Sequence, residues 1–281
     1  MEDTYIHDER LVESMTKDRA ANNGNNENRI SGKPTDISDD EVKSFFDDRA
    51  AEKNDGKSRY RPTFFLYDTD PELAEKRDLY EAEQFLLRLK RAGIGDHSIR
   101  ILDIGCGVGR WADVYRGKEG CEYVGVDFSE EMIRIAKEEY KGEDNFKFYV
   151  GRFQDLSEIL KKNGCDGKYD LIVITGVFMY INDSDVPLCI SQLIPCVSDG
   201  GVIYINNPIC LQSRLTLKDF YSKELQSQYS AIYRTKEEWD EINGSNYPSE
   251  FKTVECDFTY PEEMRNRSDT ADFYWVIKKQ V

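Results

Sequence analysis

Five short apolar runs recur through the middle of the chain, each bounded by polar or turn-forming residues: "IRILDI", "CEYVGVD", "FKFYV", "YDLIVIT" and "GGVIYIN". They are too short for stable helices and rich in Val, Ile and aromatic residues, so each predicts a strand. The segments between them, at 110–117, 129–140, 155–162 and 183–197, read as helices. Apolar strands alternating with helices predict an α/β fold whose mostly parallel sheet is covered on both faces.

The pattern changes towards both ends. Residues 1–38 are polar and turn-rich through "AANNGNNENRISGKPTD" and predict a poorly ordered tail. "SDDEVKSFFDDRAAEKN" predicts a helix capped by Ser38. "DTDPELAEKRDLYEAEQFLLRLKRAG" predicts a second, with Pro71 in its first turn, Gly93 at its end, and a stripe of Leu73, Leu79, Tyr80, Phe85, Leu86 and Leu89. Residues 39–95 thus form a helical N-terminal cap, and 96–281 form the main domain. Within it, 208–247 reads as a helical insertion, rich in Tyr and Trp and acting as a lid. "FKTVECDFTY" and "TADFYWVIKK" predict a closing antiparallel hairpin at the sheet edge.

The first strand runs into Gly105, Gly107 and Gly109 immediately before a helix, and Asp127 ends the next strand. Open parallel sheets bind ligands at such strand ends, and an acid about twenty residues beyond the turn accepts hydrogen bonds from ribose hydroxyls. The turn therefore faces a nucleoside-like cofactor. A dinucleotide fingerprint would have a third glycine where this chain has Arg110, and Asp103 beside the turn would repel a pyrophosphate. A carboxylate there suits S-adenosylmethionine (SAM), which is cationic and lacks phosphate. An NAD-dependent oxidoreductase stays open as an alternative, as does a SAM-binding cyclase or other non-methylating protein.

"ILDIGCGVGRW", "VGVDFSEEMIRIAKE", "VGRFQDL" and "YDLIVITGVFMYIND" resemble, in order and spacing, the successive motifs of class I SAM-dependent methyltransferases. The resemblance covers about residues 99–206. It implies a Rossmann-like sheet of seven strands in the order 3-2-1-4-5-7-6, the seventh antiparallel. It also implies that Gly105, Gly107 and Gly109 let the cofactor approach the backbone, that Asp103 lies near the SAM amino group and that Asp127 binds the ribose. Phe128 and Met132 would pack on the adenine. Arg152 stands where the family commonly has an acid, so Phe153, with Gln154 or Asp155, is the expected substitute for that adenine contact. Gly176, Val177, Met179 and Tyr180 would floor the methyl group. Two outer segments, "DPELAEKRDLYEAE" and "RLTLKDFYSKELQSQYSAIYRT", resemble a bacterial subgroup of surface-polysaccharide and natural-product pathways. That implies O- or N-methylation of a sugar, nucleotide-linked sugar or similar small polar metabolite, with S-adenosylhomocysteine (SAH) as product.

Hydroxyl acceptors need a base, yet the chain has only two histidines, His7 and His97, neither placed near the turn. Either another side chain serves, with Tyr180 and Tyr67 as candidates, or the acceptor is an amine or oxyanion that needs little help. Arginine forks suit anionic groups and tyrosines suit sugars or rings. The cap and insertion offer Tyr60, Arg61, Arg77, Arg214, Tyr221, Tyr233 and Arg234 for substrate binding. Asp183 and Asp185 read as caps of the following helix, and no metal site is expected.

Net charge is −16, without the basic footprint of a nucleic-acid binder. The seven cysteines are scattered with no CxxC pair, which argues against zinc or redox motifs. No run is long and apolar enough for a membrane helix, and the acidic N-terminus does not read as a secretory signal. The expectation is a cytoplasmic monomer or homodimer acting on a small molecule.

Overall fold

In the computed structural model of the chain, residues 28–53 and 58–281 are described. The first 27, with His7 and most of the expected tail, lie outside them, as do 54–57. The elements, in order, are β1 (Arg29–Ser31), α1 (Asp39–Lys53), α2 (Pro71–Arg91), β2 (Arg100–Ile104), α3 (Arg110–Tyr115), β3 (Glu122–Asp127), α4 (Glu130–Glu139), β4 (Phe146–Val150), α5 (Leu156–Lys162), β5 (Tyr169–Thr175), α6 (Val186–Leu193), β6 (Val197–Cys210), β7 (Leu215–Ser222), β8 (Ser227–Tyr233), α7 (Lys236–Asn246), β9 (Phe251–Phe258) and β10 (Thr270–Lys279).

A seven-stranded sheet runs β4-β3-β2-β5-β6-β10-β9. Its first five strands pair in parallel, and β10 is antiparallel to both β6 and β9. Numbered among themselves, the strands follow the expected order 3-2-1-4-5-7-6. Period-two alternation divides each central strand between two cores. Leu102, Ile104, Ile172 and Ile174 meet Leu156, Ile190 and Trp239 from α5, α6 and α7. Ile101, Leu171 and Val173 face the other way, onto Phe85, Trp111 and Ala136 from α2, α3 and α4. The sheet is thus buried on both faces, as a parallel sheet requires.

The cap helices start where their signals stand. The Ser38 hydroxyl accepts from the Glu41 N–H, and the Asp70 carboxylate accepts from Leu73 at 3.0 Å, directly before Pro71. The buried face of α2 corrects the expected stripe, however. Leu79 is 74% exposed, and the inward positions are Ala74, Arg77, Glu81, Phe85, Arg88 and Leu89. Charges can be buried here because each finds partners. Arg88, for example, donates to the Tyr204 hydroxyl at 2.9 Å and the Thr259 carbonyl at 3.1 Å.

The insertion is a second correction. Of the segment expected to be helical, only α7 is; β7 and β8 form an antiparallel hairpin, and β1 pairs with β7 to complete a three-stranded sheet. Leu215, Leu217, Tyr229 and Ala231 make one apolar face of it, packed with Met179, Phe45 and Phe65. A sheet with one face covered and one solvated favours alternation over helical spacing. The expected loose tail likewise gives way at residues 29–31 to a paired strand.

Candidate active site

The carboxyl ends of β2, β3, β5 and β6, the cap and the small sheet enclose a cavity of about 820 Å³. That lies within the roughly 300–1,000 Å³ of small-molecule sites. At its start the chain leaves β2 through Gly105, Gly107 and Gly109, all at positive φ. A side chain would not fit at any of the three; on Gly109 a Cβ would come 2.8 Å from the Tyr140 ring. A Cβ on Gly105 would come 2.2 Å from Val177 Cγ2, and one on Gly107 would come 2.4 Å from Thr63 Cγ2 in the cap. Gly105 lines the cavity; Gly107 and Gly109 lie behind it, and Gly109 starts α3 from the left-handed region.

Asp127, at the end of β3, is buried yet borders the cavity. Its carboxylate accepts from the N–H groups of Gly107 and Ser129, both at 2.9 Å. Burial pushes its pKa up to about 6 against the pull of those two bonds. Phe128, Met132, Phe153 and Gln154 line the same end, and Val42 and Phe46 of α1 roof it. Arg152 also lines it and pairs with Asp39 at the start of α1. Asp155 does not reach the cavity: it leads into α5.

Asp103 stands apart from the cavity lining, with its Oδ1 lacking a hydrogen-bond partner. The pleat turns its side chain to the opposite face of β2, where it is fully buried, bonds the Tyr123 hydroxyl and does not border the cavity. Burial pushes its carboxyl up to about 7. The charged group that does border the cavity close to α3 is Glu81, which the sequence reading missed. Its Oε1 accepts from Asn206 Nδ2 at 2.5 Å, and its Oε2 accepts from Arg110 at 2.8 Å and the Tyr260 hydroxyl at 2.7 Å. Burial alone would raise this carboxyl. The Arg110 guanidinium and the Tyr260 and Asn206 bonds outweigh that and hold it below the usual range. Asp78 balances Arg110 from the other side at 2.6 Å.

Beyond Gly176 and Asn206 the cavity widens into a chamber floored by Arg77, Tyr260 and Asp272 and roofed by Tyr180, Phe220, Tyr229 and Tyr233. Arg77 stacks on Tyr260 and lies 3.7 Å from Asp272, whose carboxyl burial raises. Tyr180 meets Tyr229, with 2.8 Å between hydroxyl oxygens, and burial pushes its pKa far above the ordinary tyrosine value.

The other expected substrate residues do not border this chamber. Tyr67 lies outside it, bonded to Ser58 and edge-on to Phe64. Tyr60 bonds Asp113, and Arg61 pairs with Asp68 at 2.8 Å. Tyr221 is 48% exposed on the outer side of the small sheet. Arg214 and Arg234 both clamp Asp183, and Arg234 also donates to the carbonyls of Phe178 and Ile181. Asp183 is therefore the anchor of the loop after β5 rather than a helix cap, and Asp185 caps α6 with no side-chain bond. Neither arginine borders the cavity.

The groups at the turn fit SAM better than a dinucleotide. Gly105 and Cys106 both donate their N–H to the Val126 carbonyl, Gly107 donates to Asp127, and Gly109 donates to the Cys106 carbonyl at 2.9 Å. A pyrophosphate needs such N–H groups free at the helix start. What remains suits a ribose at the Asp127 carboxylate, an adenine between Phe128, Met132 and Phe153, and a methionine moiety over Gly105.

Residues 96–255 match the family model described as a methyltransferase domain. The chain is similar to a probable fatty acid methyltransferase of Pseudomonas putida, 26% identical over 121 residues that cover 42% of this chain and 28% of that one. It is also similar to a demethylmenaquinone methyltransferase of Staphylococcus aureus, 25% identical over 185 residues covering 62% and 68%. The matched segment thus spans little more than a quarter of the first relative and about two thirds of the second. Among solved structures, a SAM-dependent methyltransferase from Clostridium acetobutylicum shares the fold at TM-score 0.58 and 12% identity, covering 80% of this chain and 100% of that one. A phosphoethanolamine N-methyltransferase from Haemonchus contortus, solved with phosphoethanolamine and S-adenosylhomocysteine, does so at 0.61 and 18%, covering 86% and 49%. The match over residues 96–255, more than half of the chain, shows that it belongs to the methyltransferase-domain family, and it shares the fold of SAM-dependent methyltransferases of known structure.

Proposed function

We propose that this methyltransferase acts on an N or O atom of a small polar metabolite held in the chamber beneath the three-stranded sheet. One observation carries this reading: a single cavity runs from the glycine turn and Asp127 to a chamber that Arg77, Tyr260 and Asp272 make polar and the small sheet roofs over. A roofed space of this size suits a small acceptor rather than a polymer, and the net charge of −16 opposes a nucleic-acid substrate. Among the described residues no helix is long and apolar enough to cross a membrane.

Bound SAM supplies an electrophilic methyl group, so the protein's task is to align the nucleophile and, where needed, accept its proton. Tyr180 is a poor base at its raised pKa, and its hydroxyl is engaged with Tyr229. No histidine borders the cavity among the described residues; His97 is exposed beside Asp96. Asp272 is the chamber carboxylate whose proton affinity burial increases, and its ion pair with Arg77 is loose, so it takes the proton role here. An amine or an anionic oxygen is the acceptor atom that asks least of such a site.

The test is transfer of labelled methyl from SAM to amino sugars, sugar nucleotides, alkylamines and hydroxy acids, with an RNA oligonucleotide alongside. Label in one of the small acceptors, lowered at least tenfold in Asp272→Asn, supports the reading. Label in the RNA alone, or in none of them while SAH still binds, overturns it.

A further inference from the structure

Asp103 does not border the cavity, although its Oδ1 is left without a hydrogen-bond partner, whereas the Glu81 carboxylate borders it beside Gly105. We infer that Glu81, on the cap helix α2, binds the α-ammonium of SAM, with the Arg110 guanidinium alongside for the α-carboxylate.

Position comes first. Glu81 joins the start of α3, through Arg110, to the end of β6, through Asn206. The Asn206 carbonyl in turn accepts from the Gly176 N–H at 2.8 Å, which ties the same point to the end of β5. The carboxylate thus links the start of α3 to the ends of β5 and β6. Glu81 and Arg110 both border the cavity alongside Gly105, Trp111 and Thr175.

Capacity is the second point. An ionised carboxylate offers about four acceptor sites. Oε2 takes two donors, Arg110 and Tyr260, whereas Oε1 takes only Asn206. One site on Oε1 is left for a further N–H. Arg110 has five N–H donors; Asp78 takes its Nε–H and Glu81 one from Nη2, and the residue borders the cavity. An acid and a base locked side by side match a zwitterion, and their mutual bonds fix both before the ligand arrives.

Identity of the donors is the third. Asn206 has its amide orientation set, because its Nδ2 donates to Glu81 while its Oδ1 accepts from the Thr259 hydroxyl at 2.8 Å. Tyr260 spends its only proton on Glu81. Both partners donate to the carboxylate and favour its ionised form.

The inference rests on the cofactor lying over Gly105, and the test separates the two. Calorimetric titration with SAH, which carries the amino-acid moiety, is compared with 5′-methylthioadenosine, which lacks it, in the wild type, Glu81→Gln and Glu81→Asp. The expected result is a loss of at least tenfold in SAH affinity for Glu81→Gln, partial recovery in Glu81→Asp, and 5′-methylthioadenosine affinity within about twofold throughout. Equal losses for both ligands would make Glu81 a structural residue, and unchanged SAH affinity would place the ammonium elsewhere; either overturns the assignment. If Glu81→Gln does not fold, the wild type is titrated with the SAH analogue lacking the α-amine: weakening of at least tenfold is expected, and equal affinity overturns the assignment. Absence of SAH binding by the wild type would instead sink the cofactor placement itself.

Discussion

The hydroxyls of Tyr180 and Tyr229 lie 2.8 Å apart and join the loop after β5 to strand β8 of the roof. Around them Phe46 and Phe65 stand edge-on, so the bond sits in an aromatic setting with little water to compete. Tyr180→Phe is expected to cost about 1 kcal/mol of stability, the usual net worth of one such bond. Because the phenol does not titrate in the working range, the shape of the pH–rate profile should stay as in the wild type. Chemical denaturation and the profile together check this.

Cofactor affinity should fall in acid. In the proposed reading the ionised Asp127 carboxylate accepts from the ribose hydroxyls, and its folded pKa of about 6 leaves roughly a tenth of it charged at pH 5. SAH titrated at pH 8 and pH 5 is expected to differ by about tenfold. Asp127→Asn should bind weakly and almost equally at both pH values.

Asp103 should matter to stability and little to binding. Its folded pKa, about 7, lies above the unfolded carboxylate value. The folded state therefore holds a proton that the unfolded state has already lost. Stability is greatest below about pH 4 for this group and is lost as pH rises through about 7. Asp103→Asn is expected to flatten the fall in Tm between pH 5.5 and pH 8 and to leave SAH affinity within about threefold, as thermal unfolding and titration would read.

Arg234 should be among the costliest single changes. Its guanidinium is 1% exposed and satisfies two carbonyls and the Asp183 carboxylate. Arg234→Met strands those acceptors, at about 3–5 kcal/mol for a broken buried pair. Arg152→Met, at an exposed pair with Asp39, should cost less than about 1 kcal/mol. Urea midpoints of the two variants give the comparison.

Gly107→Ala is expected to abolish SAH binding and lower Tm. The new methyl would meet Thr63 Cγ2, and the residue sits at φ +51. Thr63→Ser removes that methyl group, so the double variant should recover the part of the loss due to collision and keep the part due to backbone strain. A double-mutant cycle on Tm separates the two.

The central sheet was legible because its strands are apolar on both faces and bounded by turns; "FKFYV", "YDLIVIT" and "TADFYWVIKK" coincide with β4, β5 and β10. The roof was not. "RLTLKDFYSKELQSQYSAIYRT" spaces its apolar residues so that helix and strand both read plausibly, and what decides is a partner, β1, far away in sequence. Glu81 escaped notice because an apolar stripe was sought on α2, and Leu79 drew attention away from it. The available signal was charge at a helical spacing: Arg77, Glu81 and Arg88 fall on the same side as Ala74 and Phe85. The direction of the Asp103 side chain was not legible either, because a motif gives the residue and only the pleat gives its direction.

The roof of the chamber has its edge strand and its hairpin at opposite ends of the chain. Asn28 donates to the carbonyl of Asp219, 191 positions away. β1 is only three residues long and none of them is buried, so little apolar burial holds it to β7. The edge should therefore be the first part of the enzyme to come apart under mild denaturant and the last to re-form, well after the sheet beneath it is intact. Exchange of the β1 amides with solvent would then proceed by small local openings, at rates unrelated to global unfolding. The enclosure of the chamber is thus thermodynamically separate from the stability of the fold that carries it.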